Sequence, residues 1–138
     1  RWGERSLRAA ATGAPTLLFM QYFLGGSRPG ESPLGSHWHP FADDNGASGH
    51  AFIGAIPFLT AARMTDRPWL KVGMYAGSLM AGASRITDQD HYLSQVLIGW
   101  SIAFTAVAAV HRTENGEGPH IFPWAAPGTA GLGLMWEF

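Results

Sequence analysis

The segment from Tyr92 to Val110 runs for nineteen residues without a formal charge and is the most hydrophobic part of the chain. A helix needs about 20 predominantly apolar residues to cross the hydrocarbon core of a bilayer. The segment is therefore long enough for a transmembrane helix, and its length also suits the buried core helix of a bundle. Either structure makes it the most hydrophobic helix of the chain.

The composition points to an apolar, single-domain protein. The 138 residues are enough for one hydrophobic core and too few for two domains. Charged residues make up 14% of the chain, against about 25% in ordinary soluble domains, and 46% are hydrophobic. The formal net charge of -1 argues against a nucleic-acid-binding protein, which would carry a basic face. Because cysteine is absent, disulfides and thiolate metal sites are excluded.

Three more helices are predicted before the apolar segment. Gly25 and Gly26 end the first helix, in which Pro15 suits an early turn, and Ser48 is a good N-cap for the second. Small residues in the third helix allow close packing, as in lipid. The predicted helices are Ala9 to Leu24, Gly49 to Met64, Trp69 to about Ala83, and Tyr92 to Val110. We therefore expect an all-α, antiparallel helical bundle that is embedded in a membrane.

The helical pattern stops after Arg112, where the sequence becomes rich in glycine and proline. We therefore expect a helical domain over residues 1–112 and an irregular tail over residues 113–138. Apolar residues alternate from Leu132 to Phe138, which predicts a short strand-like end. The tail either drapes over the domain or offers an edge strand to a protein partner.

Short connections would bring chemically active residues together at one end of the bundle. Consecutive helices joined by short loops run antiparallel, so the end of the first and third helices and the start of the second and fourth lie at the same end. The residues at these four places are Gln21, Arg28, Ser48, Gly49, His50, Ser84, Arg85, His91 and Gln95. This topology predicts one composite site.

The residue types at that end indicate a site for phosphate. Gln95 lies one helical turn beyond His91, so its side chain can hold one ring nitrogen and orient the imidazole. The planar guanidinium of Arg85 suits the oxygens of a phosphate group. The hydroxyl of Ser48 and the amide of Gly49 lie at the start of a helix, where anions bind.

Three motifs in this chain resemble those of the type 2 phosphatidic acid phosphatase superfamily, which also contains bacterial acid phosphatases and vanadium haloperoxidases. The family patterns are Lys-x6-Arg-Pro, Pro-Ser-Gly-His and Ser-Arg-x5-His-x3-Asp. The corresponding residues here are Gln21-x6-Arg28-Pro29, Ala47-Ser48-Gly49-His50 and Ser84-Arg85-x5-His91-x3-Gln95. Three positions differ from the patterns, with Gln21 in place of Lys, Ala47 in place of Pro and Gln95 in place of Asp.

The resemblance implies hydrolysis of a phosphomonoester or diphosphate through a phosphohistidine intermediate, with no metal and no cofactor. It assigns His91 as the nucleophile and His50 as the acid that protonates the leaving oxygen, with Gln95 orienting His91. The residues implied to hold the phosphate oxygens are Gln21, Arg28, Ser48, Gly49 and Arg85. Glutamine at positions 21 and 95 brings no charge, so we expect an active enzyme with weaker phosphate affinity and an altered rate. Asp88 or Asp90 is an alternative partner for the ring of His91.

Charge placement and the resemblance together predict a membrane enzyme that acts on a lipid phosphate. The end of the bundle opposite the motifs holds Arg1, Arg5, Arg8, Arg63, Arg67, Lys71 and Arg112. Basic residues favour the cytoplasmic side, so the site would open on the periplasmic or external side of a membrane, which we expect to be a bacterial inner membrane. Membrane members of the family commonly have more helices, so we also expect helices upstream of Arg1.

Two other functions and one other site fit parts of the sequence. A noncatalytic membrane module could keep the fold to bind a phosphorylated lipid or a partner protein. A vanadate-dependent oxidant is disfavoured by the absence of the motif lysine. The loop segments His37-Trp38-His39 and Asp43-Asp44-Asn45 resemble a metal site only weakly, so we assign no metal there and expect a hydrogen-bonded lid with Trp38 packed inward or at a membrane interface.

Overall fold

The computed structural model describes residues 1–31, 35–117, 119–126 and 128–136. In this part of the chain, five helices precede a two-stranded hairpin. The helices are α1 (Trp2–Leu24), α2 (Gly49–Arg63), α3 (Pro68–Ser78), α4 (Met80–Thr87) and α5 (Leu93–Glu114), and the strands are β1 (Pro119–Ala126) and β2 (Thr129–Trp136). Residues 32–34, between the first and second predicted helices, and the last two residues of the predicted strand-like end lie outside the described residues.

The predicted helical bundle is confirmed, but several helix boundaries differ from the prediction. The first helix begins at Trp2 rather than at Ala9, so Pro15 lies in its interior. The predicted third helix is divided into α3 and α4 because the amide of Leu79 donates to the carbonyl of Ala76, a tighter turn than that of an α-helix. The segment from Ser84 to Thr87, which lies beyond the predicted end of the third helix, forms the last turn of α4.

Contacts at both ends of the bundle fix the directions of the helices. At one end, the side chain of Gln95 in α5 reaches the carbonyl of Ser27, just after α1. At the other end, Arg8 in α1 forms an ion pair of 2.8 Å with Glu114, the last residue of α5. Helices α1 and α5 are therefore antiparallel. The amide of Ser48 donates to the carbonyl of Gln95 over 2.9 Å, so α2 begins beside the start of α5.

The core lies between α1, α2 and α5, and small residues bring these helices close together. Phe52, Ile56 and Leu59 of α2 are its largest fully buried apolar side chains. Gly13 of α1 lies against the ring of Phe52, and Gly99 of α5 lies directly against the backbone of Ser48. These close approaches hold the start of α2 against α5, where the residues of the three motifs meet.

Helix α5 is long and apolar enough to cross a membrane, and it is the one helix in the described part of the chain that meets this criterion. Less than half of its apolar window is buried inside the bundle. Large apolar side chains are also exposed on other helices, including Phe19 on α1 and Trp69 on α3, of which Trp69 is 86% exposed. The outer surface of the bundle is therefore unusually apolar.

The C-terminal tail contains a β-hairpin, which differs from the irregular tail that the sequence predicts. Strands β1 and β2 are antiparallel and pair from Pro119 with Trp136 to Ala126 with Thr129. The prolines at positions 119 and 123 conceal β1 in the sequence, because proline cannot donate a ladder hydrogen bond. A two-stranded hairpin tolerates them, since both of its strands are edge strands. The strand-like alternation that begins at Leu132 falls in β2.

Candidate active site

An open cleft of about 440 Å³ lies at the end of the bundle where the three motifs meet. It is formed by the last turns of α1, the loop after it, the first turns of α2 and the segment just before α5. The residues that line it are Gln21, Arg28, Asp44, Asn45, Gly49, His50, Ile53 and His91. Five of these, namely Gln21, Arg28, Gly49, His50 and His91, are residues for which the sequence predicts a role in the site.

Gln95 fixes the tautomer of the His91 ring. Its amide nitrogen donates to the carbonyl of Ser27 over 2.8 Å, and its amide oxygen accepts from the backbone amide of Tyr92 over 3.0 Å. The same oxygen lies 3.0 Å from Nδ1 of His91. Because this oxygen can only accept, Nδ1 carries the proton and donates, which leaves the lone pair of Nε2 free.

The pKa of His91 is lowered from 6.5, chiefly because burial disfavours the charged ring. The hydrogen bond to Gln95 and the charge of Asp90 oppose this shift, whereas the positive charge of Arg28 and the nearby His50 add to it. At neutral pH the His91 ring is therefore uncharged. An uncharged ring with a free Nε2 is the form of imidazole that can act as a nucleophile.

The start of α2 supplies hydrogen-bond donors to the cleft. Ser48 is the N-cap, and its hydroxyl oxygen accepts from the amide of Ala51 over 3.2 Å. The earlier amides, of Gly49 and His50, have no acceptor within the described part of the chain and lie at the positive end of the helix. Gln21 donates to the carbonyl of Ala47 over 3.1 Å and has a second amide hydrogen for a ligand. The arrangement suits an anion.

Arg28 is held in the cleft by neighbours that the sequence motifs do not include. Its Nε donates to the side-chain oxygen of Asn45 over 2.9 Å, and its backbone amide donates to Glu31 over 2.7 Å. The Nε also lies 4.0 Å from a carboxylate oxygen of Glu31, and the half-exposed terminal nitrogens of the guanidinium can bind a ligand from solvent. Asn45 therefore positions the only motif arginine that lines the cleft in the described part of the chain.

Four of the residues that the sequence places at this end of the bundle, namely Ser48, Ser84, Arg85 and Gln95, do not line the cleft. Gln95 lies buried behind His91, and Ser48 is fully buried at the N-cap of α2. The guanidinium of Arg85 is occupied by two carboxylates, with Asp90 at 2.8 Å and Asp88 at 3.1 Å. The phosphate-binding roles of Ser48 and Arg85 therefore stay predictions, and Arg85 would have to exchange a carboxylate for the ligand.

The structure also shows which partner the His91 ring uses. Asp88 and Asp90 were alternatives to Gln95, and both direct their carboxylates to Arg85. The ring nitrogen of His91 contacts Gln95, although this residue has no charge. Glutamine therefore takes the orienting position that the family pattern gives to aspartate.

Two residues important to the site are not apparent from the sequence. Asn45 holds Arg28, and the only sequence signal was its position in a polar loop just before the second motif. Ser27 accepts the hydrogen bond that orients Gln95, and it does so through its backbone carbonyl, which leaves no trace in the residue type.

Trp38, which we expect from the sequence to pack inward or at a membrane interface, is 44% exposed.

The comparisons with known proteins identify the family. No curated protein and no solved structure matches the chain. The sequence profile of the PAP2 superfamily, however, matches residues 9–118, which include all three motifs and every residue that lines the cleft. Members of this superfamily are commonly phosphatases. Because this profile matches most of the chain and all three motifs are present, the chain belongs to the PAP2 superfamily.

Proposed function

We propose that the protein is a phosphatase that hydrolyses a phosphomonoester or a diphosphate, with a lipid phosphate as its substrate, through a phosphohistidine intermediate on His91. The observation that carries the proposal is the state of the His91 ring at the cleft. The Nδ1–H of His91 donates a hydrogen bond to the amide oxygen of Gln95, and burial lowers the pKa of the ring. The lone pair of Nε2 is therefore free to act as the nucleophile.

In the first step, Nε2 of His91 attacks phosphorus, and a phosphorus–nitrogen bond forms as the bond to the leaving oxygen breaks. His50 lies on the same cleft and gives a proton to that oxygen, so an alcohol or a phosphate leaves. The ring of His91 gains positive charge in this step. The amide oxygen of Gln95 stabilises it less than a carboxylate would, so we expect a slower enzyme than one with aspartate at this position.

In the second step, water attacks the phosphohistidine and inorganic phosphate leaves. His50, now unprotonated, takes a proton from the water, and the phosphorus–nitrogen bond returns its electrons to Nε2 of His91. The same two histidines therefore serve both halves of the reaction, and each returns to its starting state at the end of the cycle.

Fixed donors around the cleft would stabilise the charge that develops on the nonbridging oxygens. Arg28 supplies the positive charge, and the amide of Gly49 and the side chain of Gln21 supply neutral hydrogen bonds. Arg85 would join them only by releasing Asp88 or Asp90. With one arginine and no lysine among the described residues that line the cleft, phosphate affinity should be lower than in a site with the full family pattern.

The apolar surface favours a lipid substrate. Helix α5 is long enough to span a bilayer, and large apolar side chains are exposed around the bundle. The proposed site lies at the start of α5, at the level of a membrane surface if α5 spans the bilayer. A phosphate on a lipid headgroup would then reach the cleft from the membrane. The basic residues near the opposite end favour an external position for the site.

The intermediate can be trapped by separating the two roles of His50. A nitrophenyl phosphate has a leaving group that needs no proton, so a His50→Gln variant should still be phosphorylated by it. Without a base for the attacking water, the second step should slow and the phosphoryl group should accumulate on His91. Alkaline quenching, which preserves phosphohistidine, followed by mass spectrometry of the peptide that contains His91, measures this.

The control for trapping is the double variant His50→Gln, His91→Ala, which should carry no phosphoryl group. A phosphoryl group on another residue, or phosphate release with no dependence on His91, would contradict the proposed nucleophile. Phosphate release from phosphatidate, a polyprenyl diphosphate and a soluble phosphomonoester, compared under the same conditions, would then identify the class of leaving group.

The pH dependence should report the lowered pKa of His91. Because the neutral ring of His91 is reactive, kcat/KM for nitrophenyl phosphate should stay high as the pH is lowered through 6.5. It should fall only when the pH drops below the lowered pKa of His91. Burying the neutral His91 ring also contributes to the free energy of unfolding. This contribution is fully present above pH 6.5 and is lost as the pH falls through the lowered pKa of His91. A Gln95→Glu variant places a carboxylate beside the ring and should move the acid limb to a higher pH. An unchanged limb in this variant would show that another group titrates.

A noncatalytic role for the fold has one observation in its favour, namely that Arg85 is already neutralised by two carboxylates. In that case the protein would bind a phosphorylated lipid and leave it intact. Binding of phosphatidate-containing vesicles with no His91-dependent phosphate release from any substrate of the panel would support this function over hydrolysis.

A further inference from the structure

Two imidazoles and one carboxylate come together in the loop between α1 and α2. Nδ1 of His39 lies 3.6 Å from Oδ2 of Asp43, and Nε2 of His37 lies 3.9 Å from the same oxygen. The three donor atoms all lie within 4.8 Å of one another. None of these three side chains lines the catalytic cleft, so the proposed hydrolysis leaves the cluster unexplained.

The backbone explains why both imidazoles lie on the same side. The amide of His37 donates to the hydroxyl of Ser27, the amide of Ser27 donates to the carbonyl of His37, and the amide of His39 donates to the carbonyl of Gly25. This pairing forms a short antiparallel bridge at Trp38. In an extended segment, alternate side chains point the same way, which places His37 and His39 together and Trp38 on the other face.

The next turn of the loop brings the carboxylate to the two rings. The amides of Ala42 and Asp43 both donate to the carbonyl of His39, over 3.0 and 3.1 Å. These two hydrogen bonds close a tight turn, in which Phe41 has a positive φ of 64°, and across it Oδ2 of Asp43 lies 3.6 Å from Nδ1 of His39. Asp43 is thereby directed back to His39 by local backbone hydrogen bonds, and the pairing does not rely on the charge of the imidazoles.

A backbone carbonyl favours the tautomer of His37 that a metal ligand requires. Nδ1 of His37 lies 3.4 Å from the carbonyl oxygen of Gly35, which can only accept, so this contact favours a proton on Nδ1. The lone pair of Nε2 is then free and lies on the side of Asp43. A hydrogen bond from the second ring nitrogen to a backbone carbonyl is the usual support of a metal-bound histidine.

The geometry points to a binding site for a divalent transition metal of the zinc type, with Nε2 of His37, Nδ1 of His39 and a carboxylate oxygen of Asp43 as its three ligands. Zinc bonds of about 2.0–2.2 Å in a tetrahedron place ligand atoms about 3.3 Å apart. The observed separations from Asp43, 3.6 and 3.9 Å, are about 0.3 and 0.6 Å longer than that value, and the three donor atoms all lie within 4.8 Å of one another. The side chains are partly exposed, so they can close the remaining distance. Three protein ligands leave the fourth position for water.

A metal at this site would stabilise the loop that supports the cleft. The loop is paired with Ser27, whose carbonyl orients Gln95, and two residues after Asp43 it supplies Asn45, which holds Arg28. The metal would act through these positions and would lie away from the reacting phosphorus. The site does not depend on the proposed hydrolysis, because its ligands and its support belong to the loop.

The test is direct binding of Zn²⁺ and Co²⁺ to the full chain, purified in detergent after chelator treatment. Calorimetry should give one Zn²⁺ per chain, and Co²⁺ should develop the visible absorption of a four-coordinate site. His37→Gln and His39→Gln should each weaken binding by roughly 10–100-fold or more. The matched control is His111→Gln, which removes an imidazole near the far end of α5, where its ring contacts Asn115.

Two results would overturn the site. One is the absence of stoichiometric Zn²⁺ binding to the unsubstituted protein, which would mean that the cluster is a set of His–Asp ion pairs. The other is binding that persists in both loop variants and is lost in His111→Gln. Circular dichroism of each variant confirms that it is folded. Binding should also weaken at acid pH, where protons compete with the metal for the imidazoles.

Discussion

Replacing His91 with alanine should reduce phosphate release by roughly 10⁴- to 10⁶-fold, since removal of an enzymatic nucleophile costs about that much in kcat. The protein should remain folded. The amide oxygen of Gln95 keeps its hydrogen bond from the amide of Tyr92, and its amide nitrogen keeps the carbonyl of Ser27. The measurement is initial phosphate release from the preferred substrate, together with thermal unfolding of both proteins.

The His91→Ala variant also offers a positive test of the nucleophile. Removing the ring opens space at the cleft, and added imidazole should enter it and restore part of the phosphate release. A purely structural role for His91 would give no such rescue. The matched control is His111→Gln, which lies far along α5 from the cleft and should retain full activity. Activity of His91→Ala near that of the unsubstituted protein would contradict the proposed mechanism.

The second large effect is expected at Gly99, where two helices touch through their backbones. A Cβ at this position would overlap the carbonyl of Ser48, the N-cap of α2, and no side-chain rotation can relieve a backbone collision. In Gly99→Ala the start of α2 should therefore move away from α5. We expect a loss of about 1–3 kcal/mol in the free energy of unfolding, as for other overpacked sites.

The same displacement should also lower activity. The start of α2 carries the amide of Gly49 and the side chain of His50, both at the cleft. A shift of about 1 Å in such groups can cost roughly 10²-fold in rate. The matched control is Gly73→Ala in α3, where a Cβ meets nothing within 4 Å. That variant should be fully active and more stable by up to about 1 kcal/mol. Equal activity and stability of the two variants would show that the contact at Gly99 does not hold the site.

Residues close in sequence were the ones whose geometry could be predicted. The contact between His91 and Gln95 follows from a separation of four residues. In the structure, Nδ1 of His91 lies 3.0 Å from the amide oxygen of Gln95. The capping of α2 by Ser48 follows from its residue type at the start of an apolar helical segment. The meeting of the motifs at one end of the bundle follows from short loops, since these leave few arrangements for consecutive helices.

Local patterns were also the source of the errors. The break at Leu79 follows Gly77-Ser78, a pair at which helices can kink, but no proline marks it, so α3 and α4 read as one helix in the sequence. Strand β1 contains two prolines and reads as an irregular tail. In both places, the residue types are compatible with more than one backbone, and contacts with neighbouring segments select between them.

The sequence by itself determined the family, the helical bundle and the residues that form the proposed reaction centre, because motif spacing and helical periodicity are properties of neighbouring residues. Only the tertiary structure decided their other partners. In it, Gln95 donates to Ser27, Arg28 donates to Asn45, and Arg85 pairs with two carboxylates. It also brought His37, His39 and Asp43 together. Most of these contacts form in loops, which have no period, and several use backbone atoms, which every residue type shares.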